Sequence, residues 1–321
     1  MEQLLDLRRL TSDTFITVYD PWLPPGAQAI YGGTMVAQCI IAAQATFRID
    51  CTIASLRSTF VQGGKPNTPI HYKVHEYESD ASIPLRGVRA SQDGQCIFTA
   101  VVRFRLSPRQ GCSRPSSNFQ ATGSQTIGPI KGGGGAVESP YICSDLQLIS
   151  KTTNSVQGTT IAQWLKACRP IMVDNPAIHL AALAYMSDNY LLPTATRVHG
   201  IRWSRDPEVV PAALAGKQVQ ALEHGVKLMV SLDHTIIFDQ ASEAVRADAW
   251  IRSEMHSPWA GQERALVSQR MYSTTGNLLA TVYQEVSSLT PRHVCHRLTA
   301  LPGCAADESD RAFDALNVEW T

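Results

Sequence analysis

An internal repeat of domain size constrains the fold more than any other feature of this sequence. In the first copy, Gly32 and Gly33 precede an apolar run over residues 35–47 that predicts a largely buried helix. In the second copy, Pro176 stands at a plausible first helical position and opens an apolar run over residues 178–192. Each copy continues into strand-like segments, so the repeat predicts an α+β protein in which one long helix packs on an antiparallel sheet, twice.

Strand-like segments follow each helix and end in a hairpin. The segments are residues 56–60, 70–77, 85–91 and 95–106 in the first copy, and 227–238, 244–255, 265–273 and 277–289 in the second. Asp93-Gly94 separates the last two segments of the first copy, and Thr275-Gly276 separates those of the second. Short turn residues between two alternating segments predict a hairpin, and the equivalent positions of these two turns support the repeat.

Composition divides the chain into four parts. Residues 107–158 are rich in Gly, Ser, Pro and Thr and include four successive glycines, 132–135, which is typical of a flexible linker. We therefore predict an N-terminal domain over 1–106, a linker over 107–158, a C-terminal domain over 159–290 and a tail over 291–321. A phosphate-binding glycine loop would need Lys followed by Ser or Thr, and residues 136–138 supply neither.

Charge and hydropathy exclude several classes of protein. Lys and Arg together number 28, as do Asp and Glu, so the net charge is zero and a nucleic-acid partner is not expected. No apolar run reaches the ~18 residues of a membrane-spanning helix, so we expect no membrane partner. The first ten residues carry scattered charges, unlike a secretory signal, and the tail has no peroxisomal Ser-Lys-Leu signal. We therefore expect a cytoplasmic protein.

The eight cysteines contain no C-x-x-C pair, which argues against a disulfide framework in a chain of this length. Cys295, His296 and Cys304, with His293 nearby, match no zinc spacing. We therefore expect neither a metal nor another cofactor.

Two polar side chains interrupt apolar faces in the second copy. Asp188 continues the helix face of Leu180 and Ala184, and Gln284 is the polar member of a strand face that includes Val282 and Val286. Burying either group is costly unless it finds hydrogen-bond partners. From the residues alone, two interpretations stay open: a functional site, or a surface Asp at a helix end together with a structural Gln.

Three segments carry a family resemblance through their order and spacing. They are residues 31–38 (YGGTMVAQ), residues 184–188 (AYMSD) with Leu192-Pro193 and His199-Gly200 after them, and residues 231–234 (SLDH) combined with 281–285 (TVYQE). Together they resemble the acyl-CoA thioesterase II family of double-hotdog enzymes, along the chain from about residue 10 to 290. The resemblance implies an α+β double hotdog, in which two tandem domains each wrap an antiparallel sheet around a long helix.

The resemblance also implies a site. It places the catalytic residues at Asp188, Ser231 and Gln284 of the C-terminal domain. We also expect substrate contacts at Gly32, Gly33 and Arg57, the last because CoA is anionic. Lys65, Arg197 and Arg202 are further candidates for the anionic end of CoA. The partner would be acyl-CoA or a carrier-bound acyl thioester, and hotdog sheets of this kind lead us to expect a homo-oligomer.

The implied chemistry is direct hydrolysis, with Asp188 as general base and Ser231 and Gln284 holding the attacking water. Ser231 is disfavoured as a covalent nucleophile because it lacks a Gly-x-Ser-x-Gly elbow. His234 lies three residues further on, which in a regular strand predicts that it points to the opposite face.

Departures from the family pattern keep two other functions open. Family members often carry His in the strand where this chain has Ala54 and Arg57, and residues 78–83 replace an Arg-Asp-Gly pattern. The alternatives are a hotdog enzyme that releases or cyclises a polyketide-type thioester in a biosynthetic pathway, and a non-catalytic acyl-CoA-binding protein.

Overall fold

The structure, a computed structural model, describes residues 1–24, 27, 29–47, 51–77, 84–106, 139–150, 159–173, 175–201, 228–239 and 245–289. Several features considered above lie outside these residues: the glycine run 132–135, the segment 78–83, Arg202, and the group around Cys295.

The described residues form short helices and long strands in two successive sets. The helices are α1 (Glu2–Leu5), α2 (Gly32–Gln44), α3 (Pro176–Ser187) and α4 (Leu191–His199). The strands of the first set are β1 (Leu7–Arg9), β2 (Thr14–Thr17), β3 (Cys51–Phe60), β4 (His71–Glu76), β5 (Leu85–Gln92) and β6 (Gln95–Leu106). Those of the second set are β7 (Tyr141–Cys143), β8 (Gln147–Ser150), β9 (Thr160–Ala167), β10 (Leu228–Ser231), β11 (Asp233–Phe238), β12 (Ile251–Gly261), β13 (Arg264–Ser273) and β14 (Leu278–Leu289).

All strand pairs of the described residues are antiparallel and belong to one continuous sheet. Its order is β1-β2-β4-β5-β6-β3-β11-β14-β13-β12-β9-β7, with β10 also on β14 and β8 also on β9. The two sets meet where β3 pairs with β11, with Arg57 opposite Thr235. Each half is one helix layer against an antiparallel sheet, as the sequence repeat predicted, and the joined edges leave neither β3 nor β11 unpaired.

Both predicted hairpin turns are present. Asp93 and Gly94 have φ of 49° and 78°, the pair of positive values that a tight turn between twisted strands requires, and Gly276 has φ of 85°. A further turn between β12 and β13 places Gln262 and Glu263 at φ of 51° and 62°. The sequence did not reveal that turn, because neither residue is the glycine that usually occupies such positions.

Three elements differ from the sequence prediction. The apolar run 178–192 is not one helix, because Tyr190 has φ of 62° and separates α3 from α4. The predicted strand 227–238 is two strands, β10 and β11. The predicted strand 244–255 begins only at Ile251, since Ala249 N–H donates to Arg246 O in a preceding turn.

Part of the predicted linker is paired sheet. Strands β7 and β8 lie inside residues 107–158, and both pair with β9. Tyr141 of β7 is buried and donates its hydroxyl to Asn189 Oδ1 at 3.0 Å. The linker prediction is therefore wrong for these strands, because low hydrophobicity averaged over a long segment conceals a few residues that pair and pack.

Glycine allows α2 to approach α3 closely. A Cβ on Gly33 would lie 2.3 Å from Tyr185 O and 2.5 Å from the Tyr31 ring, distances that real Cβ atoms do not adopt. The Tyr31 hydroxyl donates to the same Tyr185 O at 3.0 Å. Trp22 and Tyr141 pack against Tyr31, so aromatic rings close one side of the helix contact.

We expect Gly33→Ala to destabilise the protein by about 1–3 kcal/mol, because the added methyl group meets a backbone carbonyl that cannot rotate away. Chemical unfolding followed by circular dichroism measures this loss. The control is Gly261→Ala, where an added Cβ meets no atom within 4 Å. Equal stability of the two variants would contradict the close packing of α2 on α3.

Candidate active site

Asp188 lies at the junction of the two helices. It follows the last residue of α3, and its side chain is only 8% exposed, so the interpretation of a surface Asp is wrong. A Cβ on Gly32 would lie 2.7 Å from Asp188 Oδ2 and 2.9 Å from the Phe60 ring, so Gly32 leaves room for the carboxylate. The backbone N–H of Gly33 donates to Asp188. The N-terminus of α2 therefore provides a hydrogen bond and a favourable dipole for the anion.

Gln284 approaches the same carboxylate from the sheet. Its side chain on β14 is fully buried, as strand alternation predicted, and Nε2 donates to Asp188 Oδ1 at 2.8 Å. The same Nε2 lies 3.2 Å from His234 Nδ1. Gln284 Oε1 is buried and has no hydrogen-bond partner in the described part of the chain. An unpaired buried acceptor beside a carboxylate can receive a hydrogen bond from a small donor such as water.

Ser231 and His234 face the same side of the sheet. Ser231 pairs with Val286, and Thr235 pairs with Tyr283. Four steps along β10 and β11 therefore face only three steps along β14, so one extra residue lies between the two pairs. Such a bulge reverses the expected alternation and brings His234 onto the face of Gln284. The prediction that His234 points to the opposite face is therefore wrong.

The bulge has an identifiable cause. Asp233 Oδ1 accepts the backbone N–H of Glu285 at 2.7 Å, and Leu232 N–H donates to Glu285 O, so both residues of the irregular step bond to one position on β14. Asp233 was the signal of this bulge in the sequence, because Asp side chains commonly accept hydrogen bonds from backbone N–H groups where regular structure is interrupted. Ser231 shares the face of Gln284 but makes no hydrogen bond to Asp188 or Gln284 among the described residues.

Burial sets the protonation of the site. It raises the pKa of Asp188 from 3.8 to about 6, and the hydrogen bonds from Gln284 and Gly33 oppose part of this rise. Burial lowers the pKa of His234 to about 3, so its imidazole is neutral near pH 7. His234 and Asp188 therefore do not form an ion pair, although His234 Nδ1 lies 3.8 Å from Asp188 Oδ1. A carboxylate that titrates near pH 6 can accept a proton from water at neutral pH.

The remaining predicted site residues divide into two groups. Gly32 and Gly33 lie beside Asp188, at the start of α2. Arg57 is exposed, whereas its strand neighbours Leu56 and Ser58 are buried. Phe60 faces Gly32, and Arg57 lies three positions earlier on β3, so its side chain points to the opposite face of the sheet. Arg57 therefore does not join the site.

The candidate CoA contacts are likewise scattered. Lys65 pairs with Asp93 at 3.0 Å on the surface, and Arg197 lies in the last turn of α4. No group of three or more His, Cys, Asp or Glu among the described residues could hold a metal ion. No described helix is long and apolar enough to cross a membrane.

Solved structures share the architecture. The structure resembles acyl-CoA thioesterase II TesB2 from Mycobacterium marinum, with a TM-score of 0.65, 23% identity, and coverage of 90% of this chain and 97% of that one. It also resembles a hotdog protein of unknown function from Alicyclobacillus acidocaldarius, with a TM-score of 0.63, 18% identity, and coverage of 90% and 97%. The fold is therefore the double hotdog, as expected.

Family models cover both halves of the chain. The acyl-CoA thioesterase N-terminal domain matches residues 19–105, and the acyl-CoA thioesterase C-terminal domain matches residues 121–287. Acyl-coenzyme A thioesterase 8 of Rattus norvegicus is 28% identical over 82% of this chain and 81% of its own length. The Homo sapiens protein of that name is 27% identical over 88% and 86%. This chain belongs to the acyl-CoA thioesterase II family, a family of thioester hydrolases.

The Asp188 carboxyl should titrate near pH 6, about two units above an ordinary aspartate, because its charged form is poorly solvated. Carbon-13 NMR of protein labelled at Asp carboxyl carbons measures this directly, and the signal that disappears in Asp188→Asn identifies the residue. A midpoint near pH 4 would show that the carboxyl is solvated and would contradict the buried site.

Proposed function

We propose that this protein hydrolyses acyl-CoA by direct attack of a water molecule that Asp188 and Gln284 position. The observation that carries the proposal is the 2.8 Å hydrogen bond from Gln284 Nε2 to a carboxylate whose pKa burial raises to about 6. Membership of the acyl-CoA thioesterase II family supports the same reaction. The relative from Saccharomyces cerevisiae, 23% identical, is named as a peroxisomal acyl-coenzyme A thioester hydrolase.

The reaction begins with a proton transfer. The attacking water donates one hydrogen to Asp188 and another to the unpaired Oε1 of Gln284, which orients its lone pair toward the thioester carbon. As the C–O bond forms, Asp188 takes the water proton and the carbonyl oxygen becomes an oxyanion. The tetrahedral intermediate then expels the CoA thiolate, which takes the proton from Asp188. The products are the free carboxylic acid and CoA.

The oxyanion needs hydrogen-bond donors as its charge develops. The first turn of α2 presents backbone N–H groups without helical partners, and Gly32 at its start lies beside both Asp188 and Phe60. Because Gly33 N–H donates to Asp188, we take the backbone N–H of Gly32 as the donor to the thioester oxygen. In this proposal both glycines act through backbone atoms, Gly33 on the carboxylate and Gly32 on the substrate.

Ser231 has a supporting role in this proposal. Its hydroxyl shares the face of Gln284 and can bond to the same water, but His234 cannot activate it as a nucleophile. Both ring nitrogens of His234 are engaged, Nε2 with Ser187 and Nδ1 with Gln284. Direct hydrolysis therefore fits the site better than an acyl-enzyme.

Several properties stay proposals of the same kind. The acyl chain would occupy apolar space near the helices, with the CoA nucleotide or a carrier arm toward solvent. Exposed apolar residues on the outer sheet face, including Val101, Ile237 and Tyr283, are consistent with self-association. A cytoplasmic location also stays a prediction.

Asp188→Asn should reduce kcat by about 10²-fold or more on acyl-CoAs, because the substitution keeps the shape of the side chain and removes the base. Free thiol release from a series of acyl-CoAs, acetyl to palmitoyl, measures the loss. The control is Asp6→Asn, an exposed carboxylate outside the site that should leave the rate unchanged.

Two outcomes would contradict the proposal. Hydrolysis by Asp188→Asn at the parent rate would remove Asp188 from the chemistry. A parent enzyme that is near background on every chain length would exclude acyl-CoA as the substrate and favour a carrier-bound or polyketide-type thioester.

A further inference from the structure

A chain of hydrogen bonds connects the end of α3 to Gln284 without passing through solvent. Ser187 Oγ donates to Ala184 O at 2.8 Å, and it lies 2.9 Å from His234 Nε2. His234 Nδ1 lies 3.2 Å from Gln284 Nε2, which in turn donates to Asp188 at 2.8 Å. Ser187, His234 and Gln284 are all fully buried. The hydrogen-bond polarity of each member is therefore set by its protein neighbours.

The direction of every bond in this chain follows from its first member. The single hydrogen of the Ser187 hydroxyl is used on the backbone carbonyl of Ala184, so Ser187 can only accept from His234. A neutral imidazole that carries its hydrogen on Nε2 has a lone pair on Nδ1. That lone pair requires a donor, which the amide nitrogen of Gln284 supplies and the amide oxygen cannot.

This polarity matters because an amide beside a titrating carboxyl has two stable orientations. An ionised Asp188 attracts Nε2, but a protonated Asp188 could donate instead to Oε1 and reverse the amide. Reversal would set Gln284 Oε1 against the lone pair of His234 Nδ1, leaving two buried acceptors in contact, which is costly. The imidazole therefore holds one orientation in both protonation states of Asp188.

We propose that Ser187 and His234 are positioning residues that orient the Gln284 amide, with its nitrogen toward Asp188 and its oxygen toward the attacking water. Neither residue touches the substrate; both act through Gln284. This inference rests on the proposed function, because an oriented amide affects the rate only if Gln284 holds the water.

Three variants separate positioning from packing. His234→Leu removes the acceptor that faces Gln284, whereas His234→Asn retains one, because Asn Oδ1 occupies nearly the position of imidazole Nδ1. Ser187→Ala removes the acceptor for His234 Nε2–H, so the imidazole can move its hydrogen to Nδ1 and present a donor to Gln284. The matched control is Ser58→Ala, a buried serine whose hydroxyl donates at 2.8 Å to the backbone oxygen of His234 and not to its ring.

The kinetics are measured with the acyl-CoA that the parent enzyme hydrolyses fastest in the series from acetyl to palmitoyl. We expect His234→Leu and Ser187→Ala to lower kcat by about 10-fold to 100-fold, with KM nearly unchanged. His234→Asn should recover most of the lost rate, and Ser58→Ala should keep the parent kcat. A role in packing alone would affect Ser58→Ala and Ser187→Ala alike.

The pH profile provides a second readout. The hydrogen bond from Gln284 lowers the pKa of Asp188, so its loss should move the acid limb of kcat/KM to higher pH than the parent's limb near 6. Among the described residues, the titratable groups that face Asp188 are His234, Tyr31, Tyr141 and Tyr185, and Ser187→Ala retains all four. A shifted acid limb in Ser187→Ala is therefore attributable to Gln284.

The proposal is overturned if Ser187→Ala keeps the parent kcat and the parent acid limb, or if His234→Asn is as slow as His234→Leu. Should His234→Leu fail to fold by circular dichroism, Ser187→Ala decides alone, since alanine is compatible with the end of α3. These failures are distinguishable from failure of the proposed function, in which Asp188→Asn itself retains the parent rate.

Discussion

The close approach of α2 to α3 determines most of the site. Gly33 leaves room for the Tyr185 carbonyl and Gly32 leaves room for the Asp188 carboxylate, so two helices from different copies of the repeat meet without intervening side chains. This contact shields Asp188 from bulk solvent and directs the Gly33 backbone N–H at it. The carboxylate comes from the second copy, whereas the glycines and Phe60 come from the first. Asp188 therefore depends on the first copy for the Gly33 N–H and for the Phe60 ring beside Gly32.

The burial that raises the pKa of Asp188 also costs stability. Its pKa is raised from 3.8 to about 6, so the folded protein binds this proton more tightly than the unfolded chain does. The sign follows directly: the stabilising contribution of the protonated form is present at low pH and is lost as the pH rises through about 6. At neutral pH the ionised carboxylate is therefore held against a penalty, which Gly33, Gln284 and the dipole of α2 reduce. A loss of stability of this kind is common at functional sites.

Regular patterns in the sequence predicted the regular parts of the structure. Alternation along β14 identified Gln284 as a buried amide, and Asp93-Gly94 identified a hairpin, because both depend only on neighbouring residues. The hydrogen bond between Asp188 and Gln284 joins residues that lie 96 positions apart. Local patterns of hydrophobicity and turn residues cannot predict a contact at that separation. The family resemblance supplied that pairing.

The errors arose where the backbone is irregular. The bulge beside Asp233 adds one residue and brings His234 to the site, whereas a uniform strand would turn it away. Tyr190 ends the helical run in a left-handed conformation, and Pro193, which cannot donate to the Asn189 carbonyl four residues earlier, was the mark of this break that apolar periodicity alone does not register. Arg57 was proposed from its charge as a contact for the anionic end of CoA, and strand alternation places it on the face of β3 away from Gly32. Each error concerns a local geometry that depends on tertiary partners and leaves little trace in composition.

In the proposed reaction, Asp188 and Gln284 hold one water for attack on the thioester carbon. The most direct measurement is a crystal structure with an acyl-CoA ketone analogue in which a methylene group replaces the sulfur, so that the carbonyl is present but cannot be hydrolysed. We expect an ordered water within hydrogen-bond distance of both the Asp188 carboxylate and Gln284 Oε1, on the face of the carbonyl carbon. An analogue whose carbonyl lies away from both residues, or a Gln284 amide reversed relative to Asp188, would contradict it.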